Sequence, residues 1–243
     1  ALAGSTAPKI LIDHHLNPDA ECFTLCFSVT EVSSASELLY HILMAVPTIK
    51  GNASDLPSEA ADALMTGMTT DTNNFGNSVF PSTLKMASEL LDAGIDRYRI
   101  LDYLYNHHSE NRLRLMGHMM KDLLTITDDG VAYIVLDRNT QDAYGIEDGD
   151  TEGFVNMPLS IEDVRMSILI KEDSDRLRVS VRSKRGTSAN RCARMYFNGG
   201  GHENAAGGRL RIPEDIASVK EAGKYIETHT HRYFNQDNPD NEE

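Results

Sequence analysis

The sequence predicts an α/β protein, with a parallel sheet in its N-terminal half and a smaller C-terminal α/β domain that has a mixed sheet. Three observations favour this class. Short apolar runs alternate with amphipathic helical segments in the first half, which is typical of parallel sheets. After about residue 120, hairpin patterns replace that alternation. The segment between the halves has a helical pattern and no Pro/Gly tether, so a linking helix is expected.

The first half begins with two predicted strands. Residues 9–12 form a short apolar run, and residues 22–29 alternate apolar and polar side chains with a period of two. In "SASE", Ser34 is expected to cap a helix and Glu37 to complete a capping box. An apolar stripe at helical spacing follows and ends before Pro47.

Four more helices are expected before the second half. The first begins at Ser58 and ends before residues 66–78, whose Thr, Asn and Gly content predicts a loop. The other three are expected at 82–93, 96–105 and 109–122.

The second half is expected to contain two hairpins, two helices and a glycine-rich loop. In chain order we expect a hairpin at 123–137, a hairpin at 163–184, a helix at 187–196, the loop at 198–208, a helix at 214–232 and an acidic tail at 236–243.

The charge of the chain excludes some partners. Its formal net charge is −14, whereas proteins that grip long nucleic acids are usually basic. No apolar run approaches the roughly 20 residues that span a bilayer, and no signal peptide is visible. We therefore expect no long nucleic acid and no membrane as partners. The cysteines Cys22, Cys26 and Cys192 include no CxxC motif, which predicts packed, reduced thiols and a cytoplasmic location.

The first strand ends in Asp13-His14-His15. Ligands of parallel α/β sheets bind beyond the carboxyl ends of strands, where an imidazole can bind a metal ion and a carboxylate can orient the ring. Alternatively, these polar residues only terminate the strand.

Asp71 lies among hydroxyl side chains in "TTDT". As a hard carboxylate ligand it suits Mn²⁺ or Mg²⁺. Taken by itself, however, this segment favours the simpler interpretation, an Asp that caps the next turn.

Two segments near the C-terminus suggest anion binding. The glycines of "GGGHENAAGG" allow a ligand close to the backbone, and His202 offers a donor to a phosphate. In "VSVRSK", Arg182 is a natural phosphate partner. Alternatively, the glycine-rich segment is only a flexible loop, and Arg182 is only an exposed arginine on a strand.

Taken in order, "LIDHH", "MTGMTTDT", "RSK" and "GGGHENAAGG" resemble the DHH phosphoesterase superfamily in its variant with a DHH-associated C-terminal domain. The segment "GFVNMPLSIEDVRMSILI" ahead of "VSVRSK" is similar to the bacterial branch of oligoribonucleases and phosphoadenosine-phosphate phosphatases, the nano-RNases. The resemblance covers nearly the whole chain. It implies a partial DHH domain at 1–112, a linking helix at 113–122 and a DHH-associated substrate-binding domain at 123–235.

The resemblance also implies a site with two Mn²⁺ ions, with Mg²⁺ as the alternative. His14 and Asp71 match the family's metal ligands, and His15 matches a histidine that contacts the substrate phosphate. Asp13 would contact these residues without binding the metal ion itself. The residues that match the family's nucleotide-holding segments are Arg182, Ser183, Gly199, Gly200, Gly201 and His202.

The expected activity is the release of nucleoside monophosphates from short oligoribonucleotides, together with dephosphorylation of phosphoadenosine phosphate. Two alternatives stay open, a cyclic-dinucleotide phosphodiesterase and a nucleotide-binding module without catalysis. Short oligonucleotides or nucleotides are the expected partners, and a homodimer is left open.

The sequence departs from the family pattern in two ways. The family often has Gly directly after "TDT" and an Arg a little later, and these places read Asn73 and Gly76 here. The family's first metal motif and a bridging Asp lie upstream of DHH, whereas the eight residues before Lys9 contain no His or Asp. We therefore expect the chain as given to be inactive or nearly so.

Overall fold

The computed structural model describes residues 4–15 and 18–235. These residues form two compact units that divide between His107 and His108, and each unit has its own hydrophobic core. The predicted acidic tail at 236–243 lies outside the described residues. Among the helices of the described part, none is long and apolar enough to cross a bilayer.

Unit 1 contains a two-stranded parallel sheet, as predicted. Strand β1 (Ile10–Asp13) pairs with β2 (Leu25–Ser28), and Asp13 lies opposite Ser28. The second strand is shorter than the predicted 22–29, because the chain turns just before it.

The prediction that Cys22 and Cys26 pack inside is wrong, because both thiols are exposed. Cys22 lies in the turn that precedes β2, and within β2 only Phe27 is even half-buried.

Four helices complete unit 1: α1 (Ala35–Met44), α2 (Ser58–Asp71), α3 (Pro81–Asp92) and α4 (Arg97–Tyr105). They pack around a core that includes Tyr40, Met65, Met68 and Leu90.

The predicted loop at 66–78 is wrong for its first part, because α2 continues to Asp71. Met68 and Thr69 face the interior of the unit and are fully buried, so tertiary packing outweighs the weak helix propensity of this Thr-rich segment. Gly67 is needed where α2 passes α1, since a Cβ there would overlap the Ser36 hydroxyl.

The "SASE" motif forms half of the predicted capping box. The Ser34 hydroxyl accepts a hydrogen bond from Glu37 N at 3.0 Å, as expected for an N-cap. The Glu37 carboxylate, however, does not close the box. It accepts hydrogen bonds from Ser33 N at 2.9 Å and from the Thr83 hydroxyl at 2.7 Å.

Unit 2 begins with α5 (Glu110–His118), which ends in a π-helical turn at Met119–Leu123. A six-stranded sheet follows, with the order β3-β4-β5-β6-β8-β7. Its strands are β3 (Thr125–Ile126), β4 (Val131–Leu136), β5 (Met166–Glu172), β6 (Arg176–Ser183), β7 (Gly200–His202) and β8 (Ala205–Arg211). Only the β4–β5 pair is parallel, which confirms the predicted mixed sheet.

Helices cover both faces of this sheet. The helices α7 (Ala189–Tyr196) and α8 (Ala222–Asn235) pack on one face, where Cys192 is buried. On the other face, Leu169 of β5 packs with Leu115 of α5 and with Phe154 of a 3₁₀ helix at Phe154–Ser160. A short helix α6 (Arg138–Ala143) follows β4. The last helix begins later than the predicted residue 214.

The predicted glycine-rich loop at 198–208 is instead the β7–β8 hairpin. A Cβ on Gly199 would overlap the backbone of Gly207, and a Cβ on Gly208 would overlap the backbone of Phe197. The glycines therefore let the backbone segments of this hairpin and of the chain leading into it approach closely.

Candidate active site

In unit 1, the predicted site residues gather beyond the carboxyl end of β1. Asp13 is the last residue of that strand, and His14 and His15 follow it directly. The parallel neighbour β2 ends at the same edge, because Asp13 lies opposite Ser28. This edge is where ligands bind in open α/β sheets.

His14 and Asp71 are brought together although they are far apart in sequence. The Nε2 atom of His14 lies 3.2 Å from Oδ2 of Asp71. Asp71 is the last residue of α2, where the helix dipole is negative and a carboxylate is unfavourable unless a cation is near.

The distance between these two atoms also fits a shared metal ion. Two ligand atoms held at right angles about 2.1 Å from one ion lie roughly 3 Å apart. The His14 side chain is 11% exposed and that of Asp71 is 41% exposed, so a ligand can still reach the pair. An imidazole and a carboxylate are donors that Mn²⁺ accepts.

The Asp13 carboxylate is hydrogen-bonded to His15. Its Oδ1 accepts a hydrogen bond from His15 N at 3.1 Å and lies 2.6 Å from His15 Nδ1. Burial raises the pKa of Asp13, but hydrogen bonds from the His15 side chain and backbone outweigh burial, so the pKa lies below its usual value. An ionised Asp13 thus fixes the orientation of the His15 ring.

A strained loop follows Asp71. Three consecutive residues other than glycine, Asn73, Asn74 and Phe75, have φ values of 48°, 55° and 64°, in the left-handed region. The Thr72 hydroxyl accepts a hydrogen bond from Phe75 N at 3.0 Å. Strain of this kind occurs at functional sites.

Arg97, which sequence reasoning missed, braces this loop. Its guanidinium donates a hydrogen bond to the Asn74 side chain and lies 5.4 Å from the centre of the Phe75 ring. Arg97 is the first residue of α4, more than 20 positions after the loop, so no local sequence signal links the two.

A second missed feature is the buried carboxylate of Glu37, which is fully enclosed. It joins Ser33, just ahead of α1, to Thr83 in the first turn of α3. The capping-box pattern marked Glu37 as structurally important, but it did not identify these partners.

In unit 2, the Arg182 side chain is partly buried on β6. Its Nη1 donates hydrogen bonds to Val181 O at 2.9 Å and to Ala206 O at 3.2 Å. Burial lowers the pKa of Arg182, and the nearby Glu152 only partly offsets this effect. Such a guanidinium is already partly desolvated, so an anion that reaches it loses little to competing water.

The sheet register aligns Arg182 of β6 with His202 of β7, and β8 lies between these two strands. Arg182 lies opposite Ala205 of β8, and Ala205 lies opposite His202 of β7. Two strand spacings, about 10 Å, therefore separate their backbones.

Ser183 is nearly buried and its hydroxyl is already hydrogen-bonded. It donates to Thr187 O at 2.6 Å and accepts a hydrogen bond from Asn204 Nδ2 at 3.1 Å. These bonds fasten the loop between β6 and α7, so the geometry gives Ser183 a supporting role beside Arg182.

The "GGGHE" segment is fastened to α7 by two side chains that sequence reasoning missed. Asn190 Oδ1 accepts a hydrogen bond from Gly201 N at 3.0 Å. The Glu203 carboxylate accepts one from the Ser188 hydroxyl at 2.9 Å, next to the start of α7. Both bonds hold His202 and its neighbours in a defined position.

Comparison with known proteins gave consistent matches. The DHHA1 domain family matches residues 115–226. The chain is 30% identical over 210 residues to a protein of Bacillus subtilis named bifunctional oligoribonuclease and PAP phosphatase NrnA, covering 85% of this chain and 64% of that protein. A Thermus thermophilus protein of the same name is 32% identical over 155 residues, covering 63% of this chain and 46% of that protein.

Among solved structures, an exopolyphosphatase-related protein from Bacteroides fragilis aligns with a TM-score of 0.84 and 38% identity. The alignment covers 95% of this chain and 65% of that chain. This chain spans 64%, 46% and 65% of the length of these three relatives, less than two thirds of each.

Proposed function

Because the chain belongs to the DHH phosphoesterase superfamily, we propose that it is part of a metal-dependent phosphodiesterase that releases nucleoside monophosphates from short oligoribonucleotides. We extend the proposal to dephosphorylation of phosphoadenosine phosphate, since the curated relatives in Bacillus and Thermus are named for both reactions. The single observation that carries it is the approach of His14 to Asp71, 3.2 Å between Nε2 and Oδ2.

His14 and Asp71 would hold a divalent ion, which we propose to be Mn²⁺ with Mg²⁺ as the alternative. Such an ion supplies Lewis-acid polarisation of a phosphoryl oxygen and lowers the pKa of a bound water. A carboxylate at the end of a helix and a histidine after a strand suit this role, because each is set by a backbone element and not by a free loop.

His15 would donate a hydrogen bond to a phosphate oxygen. The Nδ1 atom lies 2.6 Å from Asp13 Oδ1, so Nε2 is the ring nitrogen that would contact the phosphate. Asp13 would orient the ring for this contact.

Arg182 and His202 would bind the phosphate or sugar of the nucleotide. Positive charge supplied locally, by the Arg182 guanidinium in unit 2 and by a metal ion in unit 1, would let a chain with a net charge of −14 act on short anionic substrates. A continuous basic groove is not required when the substrate is only a few nucleotides long.

The proposal predicts that Asp71→Asn weakens Mn²⁺ binding and slows hydrolysis of a diadenylate. Mn²⁺ binding is measured by titration calorimetry and AMP release by chromatography, in a protein that includes this chain. Since even the loss of outer-shell partners costs about 10- to 100-fold in metal affinity, at least that loss is expected. Asp92→Asn is the matched control, because Asp92 is also the last residue of a helix in unit 1.

Equal Mn²⁺ affinity in Asp71→Asn and the parent would contradict the proposed ligand. Two further measurements address the alternatives. Preferred cleavage of cyclic di-adenylate over the linear diadenylate would favour a cyclic-dinucleotide phosphodiesterase. Thermal stabilisation by AMP without metal, combined with no hydrolysis under any condition, would favour a nucleotide-binding module.

A further inference from the structure

We propose that Arg97 is a positioning residue for Asp71, the proposed metal ligand at the end of α2. It acts through residues 73–75, which directly follow the end of that helix and which we call the left-handed segment. The inference rests on the proposed function for the identity of the ligand. It deepens that function by assigning control of metal affinity to a residue of another helix, α4.

The end of α2 is closed by two backbone hydrogen bonds that enclose Asp71. Asn74 N donates to Thr69 O at 2.8 Å, and Asn73 N donates to Thr70 O at 3.2 Å. This is the pattern of a Schellman motif, in which the residue after the C-cap is left-handed. Asp71 lies between the donors and the acceptors, so its backbone position depends on this closure.

The left-handed segment is longer than such a motif requires. A Schellman motif needs one left-handed residue, usually Gly and sometimes Asn. Here Asn73 is followed by Asn74 and Phe75, with φ values of 55° and 64°. This conformation brings Cβ too close to the following carbonyl oxygen, and residues other than glycine adopt it mainly one at a time. Further contacts are therefore needed to hold Asn74 and Phe75 in place.

Arg97 supplies these contacts from α4. Its guanidinium donates a hydrogen bond to Asn74 Oδ1 and lies 5.4 Å from the centre of the Phe75 ring. Within the described part of the chain, the other hydrogen bonds of residues 73–77 all join them to residues 69–77 themselves. The Phe75 ring packs against the core of unit 1 and gives the guanidinium a fixed surface. Asn74 is therefore the residue that Arg97 holds.

Loss of Arg97 is expected to reach Asp71 in two steps. Without its side-chain partner, Asn74 relaxes to a conformation with negative φ, which has no steric cost, and its amide leaves Thr69 O. The last turn of α2 then frays, because the carbonyl groups at a helix end have no partners within the helix. Asp71 lies in that turn, so it loses its fixed approach to His14.

The sign of the effect separates positioning from electrostatics. A guanidinium stays protonated and has no acceptor atom, so Arg97 cannot bind a metal ion itself. Removing a positive charge would by itself favour a divalent cation nearby. Weaker metal binding after the loss of Arg97 would be opposite to that effect.

The test measures Mn²⁺ affinity of Arg97→Gln by titration calorimetry, in a protein that includes this chain. The affinity is expected to fall about tenfold, the lower end of the range for residues that orient metal ligands. The kcat for diadenylate at saturating Mn²⁺ is expected to stay within about twofold of the parent, because Arg97 is assigned no contact with the substrate. Asn74→Ala removes the acceptor in place of the donor, and it should weaken Mn²⁺ binding in the same way if Arg97→Gln does not fold.

Arg99→Gln is the matched control. Arg99 lies two residues later on α4 and forms an ion pair with Asp62, nine positions before Asp71 on α2. The control removes the same charge and a contact between the same two helices, but it leaves the left-handed segment intact. Mn²⁺ affinity like that of the parent is expected. Urea denaturation of both variants separates loss of stability from loss of affinity.

A second substitution tests the mechanism by rescue. Asn73→Gly, added to Arg97→Gln, places a residue that adopts the left-handed conformation without steric cost where a Schellman motif prefers it. The closure of α2 then depends less on Arg97, and most of the lost Mn²⁺ affinity is expected to return. Glycine could not replace a direct contact of Arg97 with a ligand.

Hydrogen exchange gives a readout that needs no metal. In the protein without Mn²⁺, the Asn74 amide is expected to exchange faster in Arg97→Gln than in the parent, because its bond to Thr69 O opens more often. The same amide in Arg99→Gln is expected to exchange like the parent.

Three outcomes would overturn this proposal: Mn²⁺ affinity in Arg97→Gln that equals or exceeds that of the parent, a loss that Asn73→Gly does not restore, and unchanged exchange of the Asn74 amide. Absence of Mn²⁺ binding in the parent would contradict the metal ligands of the proposed function. Normal Mn²⁺ binding and hydrolysis in Arg97→Gln would leave that function standing, so the two proposals can fail separately.

Discussion

Asp71 lies at the carboxyl end of α2, where a cation is favoured and a carboxylate is not. The left-handed run that begins at Asn73 breaks a local preference in the same way. These departures stand beside the residues to which we assign ligands. A residue whose charge or backbone conformation is locally unfavourable is therefore a useful guide to candidate sites in this chain.

Glu37 is the residue whose substitution is expected to affect stability most clearly. Burial raises the pKa of Glu37, but hydrogen bonds from Ser33, Ser82 and Thr83 outweigh burial, so the pKa lies below its ordinary value of 4.5. Glu37→Gln removes this charged acceptor. The free energy of unfolding at neutral pH is expected to fall by about 1–3 kcal/mol, measured by urea denaturation.

The pH dependence of that loss has a definite sign. A carboxyl group with a lowered pKa stabilises the folded state above its unfolded pKa, and the contribution disappears as the pH falls through the folded value. The difference between the parent and Glu37→Gln should therefore shrink as the pH is lowered below 4.5. Glu59→Gln, at an exposed position in the first turn of α2, is the control. A difference that grows on acidification would contradict the assignment.

At the scale of elements, the β7–β8 hairpin shows why a glycine-rich segment need not be a loop. A Cβ on Gly199 would overlap the backbone of Gly207, and Gly201 has a φ of 153°. The pairing of β7 with β8 thus depends on glycine for steric reasons. This requirement holds whether or not His202 binds a ligand. The same glycines that suggested anion binding are needed for the fold.

Gly199→Ala is expected to destabilise unit 2, because the hairpin backbone must move to admit a methyl group. A loss of about 2 kcal/mol or more is expected in the free energy of unfolding, as for other overpacked sites. Gly117→Ala is the matched control. Gly117 lies in α5 with nothing within 4 Å of an added Cβ, so alanine should stabilise by about 0.5–1 kcal/mol. Equal effects at the two positions would contradict the steric explanation.

At the scale of the whole molecule, separate hydrophobic cores and an exposed connection define two units, with one core in unit 1 and two in the described residues of unit 2. Residues 106–109 are exposed and lie between α4 and α5. Leu115 and Met119, which precede the predicted domain start at 123, are fully buried in a core of unit 2. Helix α5 is therefore part of the structure of unit 2 as well as the predicted connection.

A fragment of residues 108–235 is expected to fold alone, with one cooperative thermal transition followed by circular dichroism. A fragment of residues 123–235 lacks Leu115 and Met119, and the resulting loss of buried apolar side chains should abolish or strongly weaken that transition. Equal melting temperatures for the two fragments would show that α5 is dispensable.

The sequence by itself determined the order of the strands and α-helices of unit 1 and the position of the chemical motifs. Periodicity and capping are local properties, so the start of α2 at Ser58 and the helical stripe of α1 followed from nearby residues. The placement of Asp13, His14 and His15 after a strand was equally local. The hairpin patterns of unit 2 likewise predicted the antiparallel pairs β3–β4 and β5–β6.

Only the tertiary structure decided the features that depend on residues distant in sequence. The packing of α2 extended it to Asp71 and brought that carboxylate to His14. The sheet register aligned Lys171 with Arg178, and Arg97 reached a loop more than 20 positions earlier. Each of these contacts costs chain entropy that only a folded core offsets, so no local pattern encodes it.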